Sequence, residues 1–322
     1  MQPFFSVMIP VRNGATFVQG AIASALQQEE QDAEIVVVDN ASTDSTPDIV
    51  RRFRDPRLRY IRGSQLGMVE NWNRCIQQAA GKYVSLLHHD DRWLPEFLRR
   101  AKRLTEAYPE ASVVYSGCRI VDAAGQLLRI HKPFSEPHVW SGEHELEILV
   151  RGNYIYCPTV VYRTATLRRV GGFTHGLELT PDWELLMRLA LAGGGFIYDP
   201  EPLCEYCQRD DSVHAFLEGE LRTGEEHIVA LLNISDQLTL AGQKVRAAHA
   251  ETLSVWADWE ILAALQEFEN LRVGHAARHL ALAYRAAGGF ILFIRKAYLG
   301  VQRRARRWIQ NRRKRTGSDN FC

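Results

Sequence analysis

Apolar residues in the first third of the chain form short unbroken runs separated by stretches of helical spacing. Phe4 to Pro10 (FFSVMIP) reads as a buried strand stopped by proline. After the Asn13-Gly14 turn, Phe17, Ile22, Ala25 and Leu26 recur at roughly helical spacing. Glu34 to Asp39 (EIVVVD) is a continuous β-branched run, the mark of a strand covered on both faces. Thr46 is placed to cap a short helix with Pro47 at its first position. Leu58 to Ile61 predicts a third strand, and Val69, Trp72, Ile76 and Ala79 make one helical face. Tyr83 to Leu87 predicts a fourth strand and Pro95 to Tyr108 another amphipathic helix. This alternation implies an α/β unit with a mainly parallel sheet. Such sheets bind ligands beyond the carboxyl ends of their strands. Three polar clusters fall there: Arg12-Asn13, Asp39-Asn40 and His88 to Asp91.

The middle of the chain changes character. Val113 to Tyr115, Arg119 to Val121 and Leu127 to Ile130 read as shorter strands with hairpin character, followed by a loop over 131–142. A helix is predicted near Glu143 to Val150, a strand over Tyr154 to Tyr162 and a turn at Gly171-Gly172-Phe173. Trp183 to Ala192 predicts a helix ended by glycines, and Phe196 to Tyr198 a strand. Beyond about residue 216 the pattern is helical up to a basic tail.

Composition is globular, with 46% hydrophobic and 24% charged residues among 322. The formal net charge of +1 averages two opposed parts. Residues 289–322 hold ten Lys or Arg against one acid, Asp319, which leaves −8 on the rest. Met1-Gln2-Pro3 lacks the basic start of a signal peptide, and the apolar run Ala286 to Ile294 is too short to span a bilayer. Six scattered cysteines suit reduced thiols better than a disulfide framework. Cys204 and Cys207 are read as two thiols on a strand rather than a zinc site.

Asp90-Asp91 closes a buried strand, where adjacent carboxylates suit a hard divalent cation whose other ligands are phosphate and water. A solvated loop pair or a helix cap explains the same residues. Asp182 precedes an amphipathic helix, as an N-cap or as a general base facing a cleft.

Together these residues resemble the family 2 glycosyltransferases of the GT-A fold. Ser6 to Asn13 (SVMIPVRN), Glu34 to Asp44 (EIVVVDNASTD), Gly67 to Asn73 with Ala80 to Tyr83, Leu87 to Asp91, and Gly171 to Phe173 with Asp182 to Leu189 carry the likeness in order. The resemblance covers about residues 4–214. It implies a Rossmann-like, mainly parallel sheet with helices on both faces, followed by a C-terminal helical region. It also implies transfer of a sugar from a nucleotide-diphosphate donor with inversion. By the family pattern Asp90 and Asp91 hold Mg²⁺ or Mn²⁺, Asp182 is the catalytic base, and Pro10, Arg12, Asp39, Asn40 and Asp90 line the donor nucleotide site. His88 stands where the family has an aspartate, Asn40 where it has a second Asp, Trp72 where many members have Arg, and Pro181 where a Glu is usual. Diphosphate contacts are then expected from Arg74, Arg92 or Arg209.

The division expected is a catalytic domain over 1–215, a helical region over 216–288 and a basic amphipathic tail over 289–322. In the tail Phe290, Ile291, Phe293, Ile294, Tyr298, Val301, Trp308 and Ile309 interleave with arginines, as in helices that lie on anionic membranes. A cytoplasmic protein, peripheral on the inner membrane face and acting on a glycan or lipid-linked acceptor in surface polysaccharide or glycolipid assembly, is the expectation. No nucleic-acid partner is expected. The competing readings are a sugar-nucleotide nucleotidyltransferase, whose glycine-rich phosphate loop is missing from residues 9–16, and a non-catalytic nucleotide-sugar-binding protein.

Overall fold

All seven residues of β1 (Phe5–Val11) are buried in a computed structural model that describes residues 2–209, 222–269 and 273–287. β2 (Ala33–Asp39) and β4 (Tyr83–Leu86) lie parallel on either side of β1, and β3 (Leu58–Arg62) extends the parallel run. Side chains alternate between the two faces of a strand. Val7, Ile9, Ile35 and Val37 therefore enter one apolar layer, under Val18 and Ile22 of α1 (Val18–Leu26) and Phe97 of α4 (Phe97–Ala107). Met8, Val36 and Val38 enter the other, under Val69, Trp72 and Ile76 of α3 (Met68–Gln78). Helices cover both faces, which is why the central strands β1, β2 and β4 are buried almost throughout.

The sheet continues through β9 (Val160–Arg163), antiparallel between β4 and β6 (Ala111–Val121). β10 (Gly195–Cys207) runs parallel to β6, with β5 (Arg92–Trp93) on its far side. β7 (Leu127–His131) folds back on β6, and β8 (His138–Trp140) pairs with β10. Two strands expected over Val113 to Tyr115 and Arg119 to Val121 are thus one. Gly117 does not break it; a Cβ there would lie 2.9 Å from the Pro200 carbonyl oxygen, so glycine admits the irregular stretch of β10. The strand expected over Tyr154 to Tyr162 is a strand only from Val160. Pro158 has no N–H for a ladder, and Cys157–Thr159 is a 3₁₀ turn in which Thr159 donates to the Tyr156 carbonyl. The loop expected over 131–142 contains β8. Thr46 does not cap the helix but opens α2 (Thr46–Val50), where its N–H is taken by Asp44 at 3.0 Å.

α5 (Gly142–Leu149), α6 (Thr164–Arg169) and α7 (Pro181–Leu191) complete the α/β part. α8 (Arg222–Ser235), α9 (Gln243–Glu269) and α10 (Val273–Ala287) form the helical region. Ile228, Leu231, Val245 and Leu282 belong to the same apolar layer as Trp183 and Leu186 of α7. Among the described residues no helix is long and apolar enough to cross a membrane. The tail over 289–322 lies outside the described residues.

Gly81 shows why the Ala80-Gly81 pair precedes β4. A Cβ on it would lie 2.6 Å from backbone atoms of Phe5 and Ser6. That close approach lets Gly81 donate to Ser6 Oγ at 2.7 Å and Ala80 to Glu34 Oε1 at 2.7 Å, while Ser6 Oγ donates to the same Glu34 oxygen at 2.6 Å. Gly81→Ala is expected to destabilise the protein by about 1–3 kcal/mol through overpacking against backbone. Gly152→Ala, which meets nothing within 4 Å, is expected to stay within about 0.5 kcal/mol of wild type or above it. Urea unfolding of the two variants measures the difference, and equal midpoints would contradict this account of Gly81.

Candidate active site

The loops beyond β1 and β2 are stitched together. Asn13 and Ala41 adopt positive φ, 52° and 59°. Asn13 N–H donates to Ser42 Oγ and its Oδ1 accepts Thr43 N–H, at 2.9 and 2.8 Å. Gly14 and Ala15 N–H donate to Thr46 Oγ1 and Asp44 Oδ2, each at 2.9 Å. Asn40 N–H reaches the Val11 carbonyl at 2.8 Å. Pro10 is buried inside β1 opposite Val38, whereas Arg12 is exposed just past its end.

Asp39 and Asn40 act through this framework. Asp39 is fully buried; one oxygen accepts Ser42 N–H at 2.8 Å and the other the Tyr60 hydroxyl. Burial and the Asp39 carboxylate raise the Tyr60 phenol. Asn40 Nδ2 donates to the Leu66 carbonyl at 2.8 Å and Oδ1 accepts Leu66 N–H at 2.7 Å. The Asn40 amide thereby holds the 63–67 loop, and the Asp39 carbonyl accepts Gly63 N–H at 2.9 Å.

The chain leaves β4 at Leu86 and places Asp91 1% exposed, with Oδ1 accepting Cys207 N–H at 2.8 Å from the end of β10. Among the described residues Asp91 Oδ2 has no hydrogen-bond partner, and His88 Nδ1 stands 3.5 Å from it. Burial, reinforced by the Asp90 charge, holds the Asp91 carboxyl well above the usual carboxylate range. Burial pushes His88 down to about 4, so this imidazole is neutral near pH 7. Asp90 is at the rim, paired with Arg209 at 3.2 Å, and the Arg209 guanidinium also lies 4.8 Å over the Phe17 ring. Of the three arginines expected near a diphosphate, only Arg209 is brought to the acid pair. Arg74 donates to the Ser64 carbonyl and Asn71 Oδ1, bracing the 63–67 loop. Arg92 lies over Gly20 of α1, whose Cβ position is 2.7 Å from Arg92 Nε. His88 and Trp72, two departures from the family pattern, stack on each other at 5.0 Å, with Phe173 edge-on to Trp72.

Asp182 is not the N-cap of α7. Thr180 holds that position, and Asp182 lies in the first turn, half-buried. Its Oδ1 accepts Trp183 N–H at 2.8 Å and its Oδ2 accepts Asn153 Nδ2 at 3.3 Å. Trp183 is anchored by Nε1 donating to the Leu149 carbonyl at 2.7 Å. Asp182, Asp90 and Asp91 all help raise the Tyr206 phenol, after burial, and Asp182 and Asp91 likewise act on the Cys157 thiol. Asp91 is tied to the end of β10 and Asp90 to Arg209 just beyond it, while Asp182 is tied to Asn153, shortly before the turn at 157.

Among the described residues no group of three or more His, Cys, Asp or Glu side chains can hold a metal ion by itself. Asp90 at the rim and the unpartnered Oδ2 of Asp91 nevertheless form an oxygen-only pair. That suits Mg²⁺ or Mn²⁺ when phosphates and water complete the shell. Asn153, which bonds Asp182, and Glu226, which gathers the backbone just before it, carry no motif and are invisible without the fold.

The family model for glycosyl transferase family 2 matches residues 6–169. A protein named "Uncharacterized glycosyltransferase" from Rickettsia felis is 30% identical over 190 residues, 58% of this chain and 31% of its own length. One from Rickettsia prowazekii is 29% identical over 192 residues, 57% of each chain. The chain therefore spans about a third to just over half of these relatives. Among solved structures, S. aureus TarS 1-349 in complex with UDP superposes with a TM-score of 0.62 at 22% identity, over 92% of this chain and 91% of that one. The mannosyltransferase PcManGT from Pyrobaculum calidifontis, in complex with GDP-Man and Mn²⁺, gives 0.59 at 20% identity, over 96% and 83%. These likenesses carry the GT-A fold. With half of its length matched by the family model, the chain belongs to glycosyl transferase family 2.

Proposed function

We propose that the chain is an inverting glycosyltransferase that moves a sugar from a nucleotide-diphosphate donor to an acceptor hydroxyl. The observation that supports this best is the placement of Asp90 and the buried Asp91 just past β4, tied to the end of β10 and faced by Arg209. Asp182 takes the proton of the acceptor hydroxyl as its oxygen attacks the anomeric carbon and the bond to the diphosphate breaks. Asn153 and the Trp183 N–H hold the Asp182 carboxylate in one orientation. The Arg209 guanidinium is a fixed cation beside the diphosphate as it gains charge. Asp90 and Asp91 would hold Mg²⁺ or Mn²⁺, which supplies Lewis-acid neutralisation of the leaving diphosphate when bound. The acceptor in this reading is a glycan or lipid-linked hydroxyl in surface polysaccharide or glycolipid assembly. The basic residues of 289–322 keep the protein at the inner face of an anionic membrane, each contributing about 1 kcal/mol near the headgroups.

A thermal-shift panel of UDP- and GDP-sugars with Mn²⁺ selects the donor. With that donor, Asp182→Asn is expected to lower kcat for nucleoside-diphosphate release by about 10²–10⁴-fold with donor affinity within about twofold of wild type. Full turnover by the variant would remove Asp182 as the base. Calorimetry with UDP and GDP checks the ion: chelating Mn²⁺ is expected to weaken binding to wild type but not to Asp90→Asn. Wild-type affinity indifferent to Mn²⁺ would count against the acid pair as its holder. Removing residues 289–322 is expected to abolish co-sedimentation with phosphatidylglycerol vesicles, and undiminished co-sedimentation would refute the membrane role.

A further inference from the structure

The helical region reaches the catalytic residue through one carboxylate. Glu226, near the start of α8, is 8% exposed. Its Oε2 accepts three successive backbone N–H groups, from Glu178 at 2.9 Å, Leu179 at 2.7 Å and Thr180 at 3.2 Å. These precede Pro181 and Asp182 directly. A helix ordinarily begins with an N-cap side chain accepting one of its free N–H groups. The Thr180 side chain makes no such bond, and the backbone leading into α7 is instead gathered by an acid from another element. Hydrogen bonds to a charged carboxylate are roughly twice as strong as neutral ones. The next residue, His227, packs between Trp183 at 5.1 Å and Trp256 of α9 at 4.5 Å. α8 therefore holds the chain immediately before Asp182 and the side chain immediately after it.

We propose that Glu226 is a positioning residue for Asp182, so that the helical region sets the aim of the base. The inference rests on Asp182 being the base. Trp183 N–H and Asn153 orient the carboxylate relative to the first turn of α7, whereas Glu226 fixes the backbone entering that turn relative to α8. Displacing a reacting group by about 1 Å lowers a rate by about a hundredfold, so a loosened turn reduces turnover while leaving the donor site on β1, β2 and β4 intact.

The test uses the full chain and the donor chosen by thermal shift, following release of UDP or GDP. Glu226→Gln keeps the shape and removes the charge. It is expected to lower kcat by about 10–100-fold with donor KM within about twofold. A merely structural loss of folded protein would not leave the surviving enzyme with altered turnover per active site, so active sites are counted by nucleotide titration. Wild-type kcat in Glu226→Gln, with Asp182→Asn inactive, would overturn this inference alone. Activity retained in Asp182→Asn would overturn the base assignment and the inference with it. Should Glu226→Gln fail to fold, Glu226→Asp keeps the charge and shortens the reach. A reduced kcat at unchanged donor KM then supports the proposal, and full kcat overturns it.

Discussion

A buried carboxylate that accepts a single backbone N–H holds the cleft end of the sheet in register. Asp91 Oδ1 accepts Cys207 N–H and so ties the end of β4 to the end of β10, strands separated in the sheet by β9 and β6. Taking a carboxylate out of water is costly, and burial raises this one. The bond is nonetheless what turns Asp90 outward and brings Arg209, two residues beyond Cys207, against it. Burial raises the Tyr206 phenol beside it, and the charges of Asp91 and Asp90 add to that. Moving either strand end would separate the acids from the cation that answers them.

Several motifs recognisable in the chain turn out to be halves of one contact. Asn73, which ends the Gly67 to Asn73 string, exchanges both amide bonds with the Phe173 backbone a hundred residues later, accepting its N–H at 2.8 Å and donating to its carbonyl at 2.8 Å. Gly172, at φ 71°, has its Cβ position 2.5 Å from Asn73 Oδ1, so a side chain there would break that clamp. Arg188 closes the same loop from α7, donating to the carbonyls of Val170 and Gly172 at 2.6 Å each while paired with buried Glu184 at 2.8 Å. The spacing of these residues reflects tertiary hydrogen bonds rather than local propensity. The departures are coupled in the same way: His88 and Trp72 replace two polar positions of the family pattern and stack on each other. A neutral imidazole beside an indole leaves neither side chain with an unbalanced charge.

The helical region is part of the catalytic architecture in this reading. Its apolar residues share a layer with α7, and Glu226 gathers the backbone before Asp182. Strand ends place Asp90 and Asp91, whereas helix packing places Asp182. The two halves of the proposed reaction depend on different parts of the fold.

By itself the sequence determined the α/β alternation, because strands covered on both faces must be continuous apolar runs and their helices must show a 3.6-residue stripe. It also marked the strand ends where Arg12, Asp39, Asn40, Asp90 and Asp91 stand, and singled out Asp182. It could not separate a half-buried acid from a buried one: Asp90 and Asp91 are adjacent and chemically identical, yet only one faces the rim, because Cys207 N–H claims the other. It could not show that Asn40 is committed to Leu66, since that bond joins residues 26 apart across a loop. Gly117 and Pro158 misled the strand boundaries because pairing partners, not local propensity, decided where β6 continued and β9 began. Glu226 was one acid among many on a helix. Only packing α8 against the start of α7 gave it three N–H groups to hold, because those groups come together only when both helices have docked.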